Sequence, residues 1–374
     1  MAVKVDFQSV PMGYKNLFWE GCLKGAKNSQ SGKFGLSPML DHNLKTLKSY
    51  VFEVKQFSIA MKIDKPNRSL VFDSELIGAD GSKIGIDASK NTNMESTRFA
   101  GFRRDQNCGL SLGACSNTWS DEIRAFRDDV MQIIEQSMDG ESFDFEAEPL
   151  TILQELEATL EATLESERFD IGANLMFVDG RPNFLMGTYV ADTQRLEAVL
   201  QMCFRQIEKS KAPTQFRQSF AEHRGVVFHE LVAENDNANE FTAALGSPIK
   251  IIIGLGNQSL YFGLGDKSFD ALRQCIDDSA EPTVNDQLHS HLQFRMLPWF
   301  DLFDESFRDF AKSMMRKATG NDKLVIESRA IENGYRNHVE LDLGLIISAL
   351  GSIQAIGAYS EQEFEEIKAA LEAE

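Results

Sequence analysis

Alternating apolar and polar residues on either side of turn residues predict four β-hairpins. The paired segments are Phe57–Ile63 with Leu70–Ile77, Phe169–Val178 with Phe184–Val190, Pro248–Leu255 with Leu260–Leu264, and Leu324–Ile331 with Tyr335–Leu343. Each pair is separated by residues that favour tight turns, such as Asn333-Gly334 in the last pair. A further alternating segment, Leu288–Met296, predicts a single strand.

Apolar residues at helical spacing predict the helices. Leucines recur along Leu150–Glu165 with glutamates on the other side, which indicates a helix that covers a sheet. Asp192 and Asp266 are suitable N-caps for two further helices. The first forty residues are rich in glycine and predict a loosely structured segment. Helices are also predicted over Asp41–Val54, Pro298–Met315, Leu343–Ser360 and Ser360–Ala373.

The predicted fold class is α+β, with antiparallel sheets built from repeated hairpins and covered by helices. Because the order helix, hairpin, helix and strand recurs, we expect two tandem modules, an N-terminal one over residues 1–145 and a C-terminal one over residues 146–374. The acidic stretch Asp139–Glu148 is the candidate linker between them. An ordinary surface loop is the alternative interpretation of that stretch.

The charge balance limits the partners. The 38 Lys and Arg residues against 57 Asp and Glu residues give a net charge of −19, in a chain of 374 residues with ordinary globular composition. A nucleic acid or an anionic membrane surface would require a positive field, so we expect neither as a main partner.

The ends of the chain and the cysteines add little chemistry. No secretory signal pattern begins the chain, and Leu343–Ser360 is better interpreted as a core helix than as a membrane span. The five cysteines are scattered without a C-x-x-C pair, which is typical of neither a zinc site nor a set of disulfides. We expect no bound cofactor.

Two short motifs invite a catalytic interpretation. Gly109–Gly113 matches the G-x-S-x-G pattern around Ser111, but its flanking residues favour a plain strand over a nucleophile elbow. Gly254-Leu255-Gly256 begins like a dinucleotide fingerprint, but the residues that follow predict a strand where a phosphate cradle needs a helix.

His289 and His291 are the candidate metal ligands. Residues two apart on a strand face the same side, so both imidazoles could reach one ion. The alternative is a pair of surface histidines on a solvent-facing strand.

The C-terminal half carries a resemblance. The segments Val325–Arg336 and His223–His229, with Ile251–Gly256 and Leu260–Phe262, are similar to a group of uncharacterised, exported proteins of planctomycete bacteria. The resemblance implies a bacterial protein of the periplasm or cell envelope. It also implies a signal peptide, which this sequence does not display.

These observations predict a non-enzymatic binding or structural protein. The expected partner is an apolar small molecule, a lipid or another protein, because phenylalanines are abundant (27 Phe) and several cluster in Trp299–Phe310. Self-association through edge strands is a further expectation. The alternative function is a hydrolase, either metal-dependent through His289 and His291 or serine-based through Ser111.

Overall fold

The computed structural model describes eleven parts of the chain. They are residues 1–29, 48, 51–92, 97–103, 108–117, 149–209, 214–233, 248–281, 288–302, 308–309 and 322–346. The predicted linker Asp139–Glu148, the tail helix Ser360–Ala373 and most of the helices predicted over 41–54, 298–315 and 343–360 lie outside them.

The described residues are dominated by thirteen strands. They are β1 (Ala2–Asp6), β2 (Val54–Asp64), β3 (Ser69–Gly78), β4 (Cys108–Ser116), β5 (Phe169–Val178), β6 (Arg181–Tyr189), β7 (Thr214–His223), β8 (Val226–Ala233), β9 (Ile249–Gly256), β10 (Ser259–Leu264), β11 (Ser290–Arg295), β12 (Lys323–Ile331) and β13 (Gly334–Asp342). The four predicted hairpins are present as β2–β3, β5–β6, β9–β10 and β12–β13.

The helices in the described part of the chain are fewer. They are α1 (Met12–Ser29), α2 (Lys83–Asn91), α3 (Pro149–Glu165), α4 (Thr193–Lys209) and α5 (Ser268–Ser279), with short 3₁₀ helices at Ala100–Arg103 and Leu297–Leu302. β1 and α1 correct the expectation of a loosely structured N-terminal segment. The predicted cap of α4 is confirmed, because the Asp192 carboxylate accepts the Arg195 backbone N–H at 3.0 Å.

The predicted α+β fold in two tandem modules is wrong. The described strands form a single antiparallel sheet in the order β1-β2-β3-β13-β12-β11-β4-β5-β6-β10-β9-β8-β7. Strands from both sides of the predicted boundary alternate in it, since β3 pairs with β13 and β4 lies between β11 and β5. The boundary at 145/146 itself lies outside the described residues.

One side of the sheet, here named the apolar face, carries continuous apolar rows. Residues directly opposite each other on neighbouring strands point to the same face, so the register defines each row. One row crosses twelve strands through Ile63, Leu70, Leu341, Leu324, Phe294, Leu110, Leu175, Phe184, Leu264, Ile251, Leu231 and Phe216.

Helices α3 and α4 cover the apolar face near β9 and β10. Val190, Leu196 and Leu255 form a buried cluster there with Leu156, Leu200 and Leu260 packed against it. Arg195 of α4 and Glu155 of α3 form an ion pair at 3.2 Å, which ties the two helices together. Of the leucine seam predicted for Leu150–Glu165, Leu156 packs against this cluster.

The other side, here named the mixed face, has a row of small residues at the centre of the sheet. Gly113, Gly172 and Gly187 lie opposite one another on β4, β5 and β6. Without side chains there, Phe99 and Phe102 approach the backbone and pack with Tyr261. This packing forms the main core, whose buried members are Phe99, Phe102, Leu185, Tyr189, Val226, Phe228, Ile252, Tyr261, Leu272, Cys275 and Ile276.

Among these helices, none combines the length and the apolar character that crossing a bilayer requires.

Candidate functional site

An apolar cavity lies at the β1 end of the sheet. Its volume is about 480 Å³, within the range of about 300–1,000 Å³ that is typical of small-molecule sites. The residues that line it are Phe7, Val10, Tyr14, Lys15, Phe18, Val51, Val54, Phe57 and Leu76.

The sheet and α1 build this cavity together. Phe57 of β2 and Leu76 of β3 lie opposite each other, and Val5 of β1 lies opposite Phe57. Their side chains therefore share the apolar face. Helix α1 follows the turn after β1 and contributes Tyr14, Lys15 and Phe18 to the lining. The cavity is thus a partly open pocket at the β1 end of the apolar face.

Among the described residues that line the cavity, Lys15 is the one charged residue. It is only 8% exposed, and no described carboxylate forms an ion pair with its ammonium. A buried cation is costly unless an anion or a hydrogen-bond acceptor compensates it. Its neighbour one helical turn on, Trp19, is half-buried on the same side of α1.

Apolar side chains are unusually exposed on the strands and helix at the β1 end of the sheet. Met12, Leu17 and Phe18 of α1 are 59%, 66% and 56% exposed, and Ile63 of β2 is 57% exposed. The exposed apolar positions near this end also include Met1, Val3, Val5, Tyr14 and Met61. An exposed apolar patch of this kind is typical of an interaction surface.

The structure does not bring the two predicted metal ligands together. His291 lies in β11 directly opposite Glu327 of β12, and its side chain is on the mixed face. The centroid of the His289 ring lies 5.1 Å from that of the Tyr335 ring, which is on the apolar face. The His289 backbone N–H donates to Ser328 O on β12, whereas the His289 C=O accepts the Cys115 N–H on β4. In a regular antiparallel strand both groups of one residue point to the same neighbour, so the alternation of side chains between the two faces is broken at His289.

The metal hypothesis for His289 and His291 therefore stays a two-residue prediction. In the part of the chain that is described, no group of three or more His, Cys, Asp or Glu side chains has the geometry of a metal site. Burial lowers the pKa of His289. His291 is also buried, at 8% exposure, so the solvent-facing alternative does not describe its surroundings.

His291 instead belongs to a row of alternating acids and imidazoles on the mixed face. Asp73, His338, Glu327 and His291 lie opposite one another on β3, β13, β12 and β11. His338 Nδ1 lies 2.7 Å from Asp73 Oδ1, and His291 Nδ1 lies 3.5 Å from Glu327 Oε1. The adjacent His291 holds the pKa of Glu327 below its usual value. The row crosses four strands from buried His291 to exposed Asp73, and sequence spacing could not reveal it.

Ser111 does not have the surroundings of a nucleophile. It is fully buried in β4, where its hydroxyl donates to Phe102 O at 3.0 Å, so the strand interpretation of Gly109–Gly113 is confirmed. The glycines of Gly254–Gly256 likewise end β9 in a hairpin. Neither predicted motif supplies the strained turn or the helix N-terminus that its chemistry requires.

Cys115 and Asp170 form a second buried polar group. Asp170 accepts hydrogen bonds from the Thr97 hydroxyl, from the Arg98 N–H at 2.9 Å and from Arg168 at 3.4 Å, and burial raises its pKa. Burial, reinforced by Asp170, raises the pKa of Cys115 to about 12. A protonated thiol is a poor nucleophile, so this cluster holds residues 97–99 on the sheet and does not favour thiol chemistry.

Sequence reasoning missed the cavity because the N-terminal glycines concealed α1. The available signal was the spacing of Tyr14, Leu17 and Phe18, which matches one side of a helix.

A scan against protein-family models found no match, and searches of curated proteins and of solved structures also found none.

Proposed function

We propose that the protein binds an amphiphile that has one hydrocarbon chain and an anionic head, as a fatty acid does. The hydrocarbon chain occupies the cavity between α1, β2 and β3, and the head pairs with Lys15. This agrees with the expectation of a non-enzymatic binding protein that has an apolar ligand. No described group of residues favours the hydrolase alternative.

The observation that carries the proposal is the buried residue Lys15, the one charged residue among the described residues of an apolar cavity. Apolar lining with one placed polar group is the usual composition of a site that binds a small molecule and fixes its orientation. Removing the lining from water favours a hydrocarbon chain by about 25 cal/mol for each Å² buried. The Lys15 ammonium, which forms no ion pair with a described carboxylate, favours an anionic head over a neutral one.

The experiment compares palmitate with hexadecanol, which share a chain length and differ in the head. Displacement of an apolar fluorescent probe gives the affinity for each. In Lys15→Met we expect palmitate affinity to fall about ten- to a hundredfold, because a charge-assisted contact contributes about 1.5–3 kcal/mol. We expect the affinity for hexadecanol to stay within twofold of the wild-type value.

The matched control is Lys62→Met, which removes an exposed lysine of β2 that does not line the cavity. It should leave both affinities unchanged. The proposal is wrong if the wild-type protein binds neither compound, or if both lysine variants weaken palmitate binding equally.

A further inference from the structure

The two ends of the sheet differ in how well they resist pairing with another strand. Within the described residues, β7 and β1 are the terminal strands. β7 is interrupted by a register shift between Arg217 and Ala221, and Ser219 there has φ 48°. Such bulges protect an edge. β1 is regular and all five of its residues are exposed.

The hydrogen bonds of β1 show which of its backbone groups are free. Met1 and Met61 exchange both bonds, and the Phe7 N–H donates to Lys55 O at 3.0 Å. Because the direction alternates along an antiparallel strand, the odd residues of β1 pair with β2. The N–H and C=O groups of Ala2, Lys4 and Asp6 therefore point away from the sheet.

We propose that β1 is a self-association edge, on which two copies of the chain pair their β1 strands antiparallel about a two-fold axis at Val5. In this register Lys4 lies opposite Asp6 of the second copy, and Val3 lies opposite Phe7 of the second copy. Lys4 and Asp6 then exchange backbone hydrogen bonds across the axis. The result is one continuous sheet through both copies.

The sequence of β1 is complementary to itself when the two-fold axis lies at Val5, and it is not when the axis lies at a neighbouring residue. Val3-Lys4-Val5-Asp6-Phe7 reads apolar, cation, apolar, anion, apolar, so inversion about Val5 matches every apolar residue and opposes unlike charges. An axis at Lys4 would instead place the two lysines opposite each other. Asp6 O accepts the Ser9 hydroxyl at 2.8 Å, and a carbonyl oxygen has a second lone pair for the new bond.

The neighbouring apolar patch makes a second copy the fitting occupant. Val3 and Val5, which are 44% and 36% exposed, point to the apolar face, where α1 exposes Met12 and Leu17. A two-fold axis at β1 brings the patches of the two copies side by side and removes part of them from water. This inference does not depend on the ligand of the cavity.

The test uses charge reversal and sedimentation equilibrium. In the proposed register, Lys4→Asp places a carboxylate at residue 4 of each copy opposite the Asp6 carboxylate of the other copy. Asp6→Lys likewise places two ammonium groups opposite each other at both pairs. We expect the wild-type chain to dimerise at micromolar concentration, and each variant alone to dimerise roughly tenfold or more weakly, because both charge pairs change from attraction to repulsion.

A mixture of the two variants distinguishes this interface from misfolding. Lys4→Asp and Asp6→Lys chains complement each other at both pairs, so an equimolar mixture should recover the dimer as a heterodimer. Lys62→Asp, an exposed change on β2, should dimerise like the wild type. A monomeric wild-type protein, or a mixture that stays as dissociated as its components, would overturn the proposal.

Discussion

Gly187→Ala tests the packing that fixes the 97–103 segment to the centre of the sheet. An added Cβ would lie 2.8 Å from Phe99 Cε1 and 2.9 Å from Phe102 Cε2, both closer than van der Waals contact allows. The rings cannot move away easily, because both are buried and both pack against Tyr261 at centroid distances of 5.7 and 6.4 Å.

The expected cost follows from two opposing contributions. Overpacking a well-filled core costs about 1–3 kcal/mol, and the fixed rings place this site near the upper value. Replacing glycine by alanine restricts the unfolded chain and returns about 0.4–1 kcal/mol. We therefore expect a net loss of about 2 kcal/mol in the free energy of unfolding, measured by urea titration with far-ultraviolet circular dichroism.

Two further variants make the result specific. Gly21→Ala places a Cβ in open space within α1 and should stabilise the protein by up to about 1 kcal/mol. Phe99→Leu combined with Gly187→Ala should lose less stability than the sum of the single losses. The packing argument fails if Gly187→Ala is as stable as the wild type, or if the two losses are additive.

Two other predictions concern buried polar groups. Asp170→Asn should cost about 1–3 kcal/mol and increase hydrogen exchange at Arg98, because the amide cannot accept all the bonds that Thr97 and Arg98 donate to the carboxylate. Burial lowers the pKa values of His229 and His289 from 6.5, so the unfolded chain binds more protons. The contribution of these histidines to the free energy of unfolding should be complete above pH 6.5 and should fall as the pH drops below that value. In urea titrations, His229→Phe should reduce this pH dependence. A urea midpoint of the wild-type protein that does not change with pH would contradict the prediction.

The local elements of this fold are readable from the sequence, because each depends on neighbouring residues. Alternation around Asn333-Gly334 predicts the β12–β13 hairpin, and the leucine spacing of Leu150–Glu165 predicts α3. The order of strands is not readable in this way. β3 pairs with β13 although about 260 residues separate them, and no periodic pattern records which hairpin edges meet.

The same holds for the residues of the site: the sequence shows which residues are neighbours along the chain, but not which residues strand pairing brings together. His289 and His291 are close in sequence, yet a local break in hydrogen bonding places their side chains on opposite faces. Glu327 and His338 lie next to His291 only because β12 and β13 pair beside β11. The net charge of −19 gave no indication that one lysine would be buried at an apolar cavity.

The position of a bound hydrocarbon chain tests the central claim most directly. Trp19 lies one helical turn from Lys15 on the same side of α1, so a brominated fatty acid in the cavity should quench its fluorescence. We expect dibromostearate to quench the wild-type protein to a saturating level, and Trp19→Phe to lose that quenching while still binding palmitate. Equal quenching in both proteins, or quenching that never saturates, would contradict a fatty-acid site between α1 and the sheet.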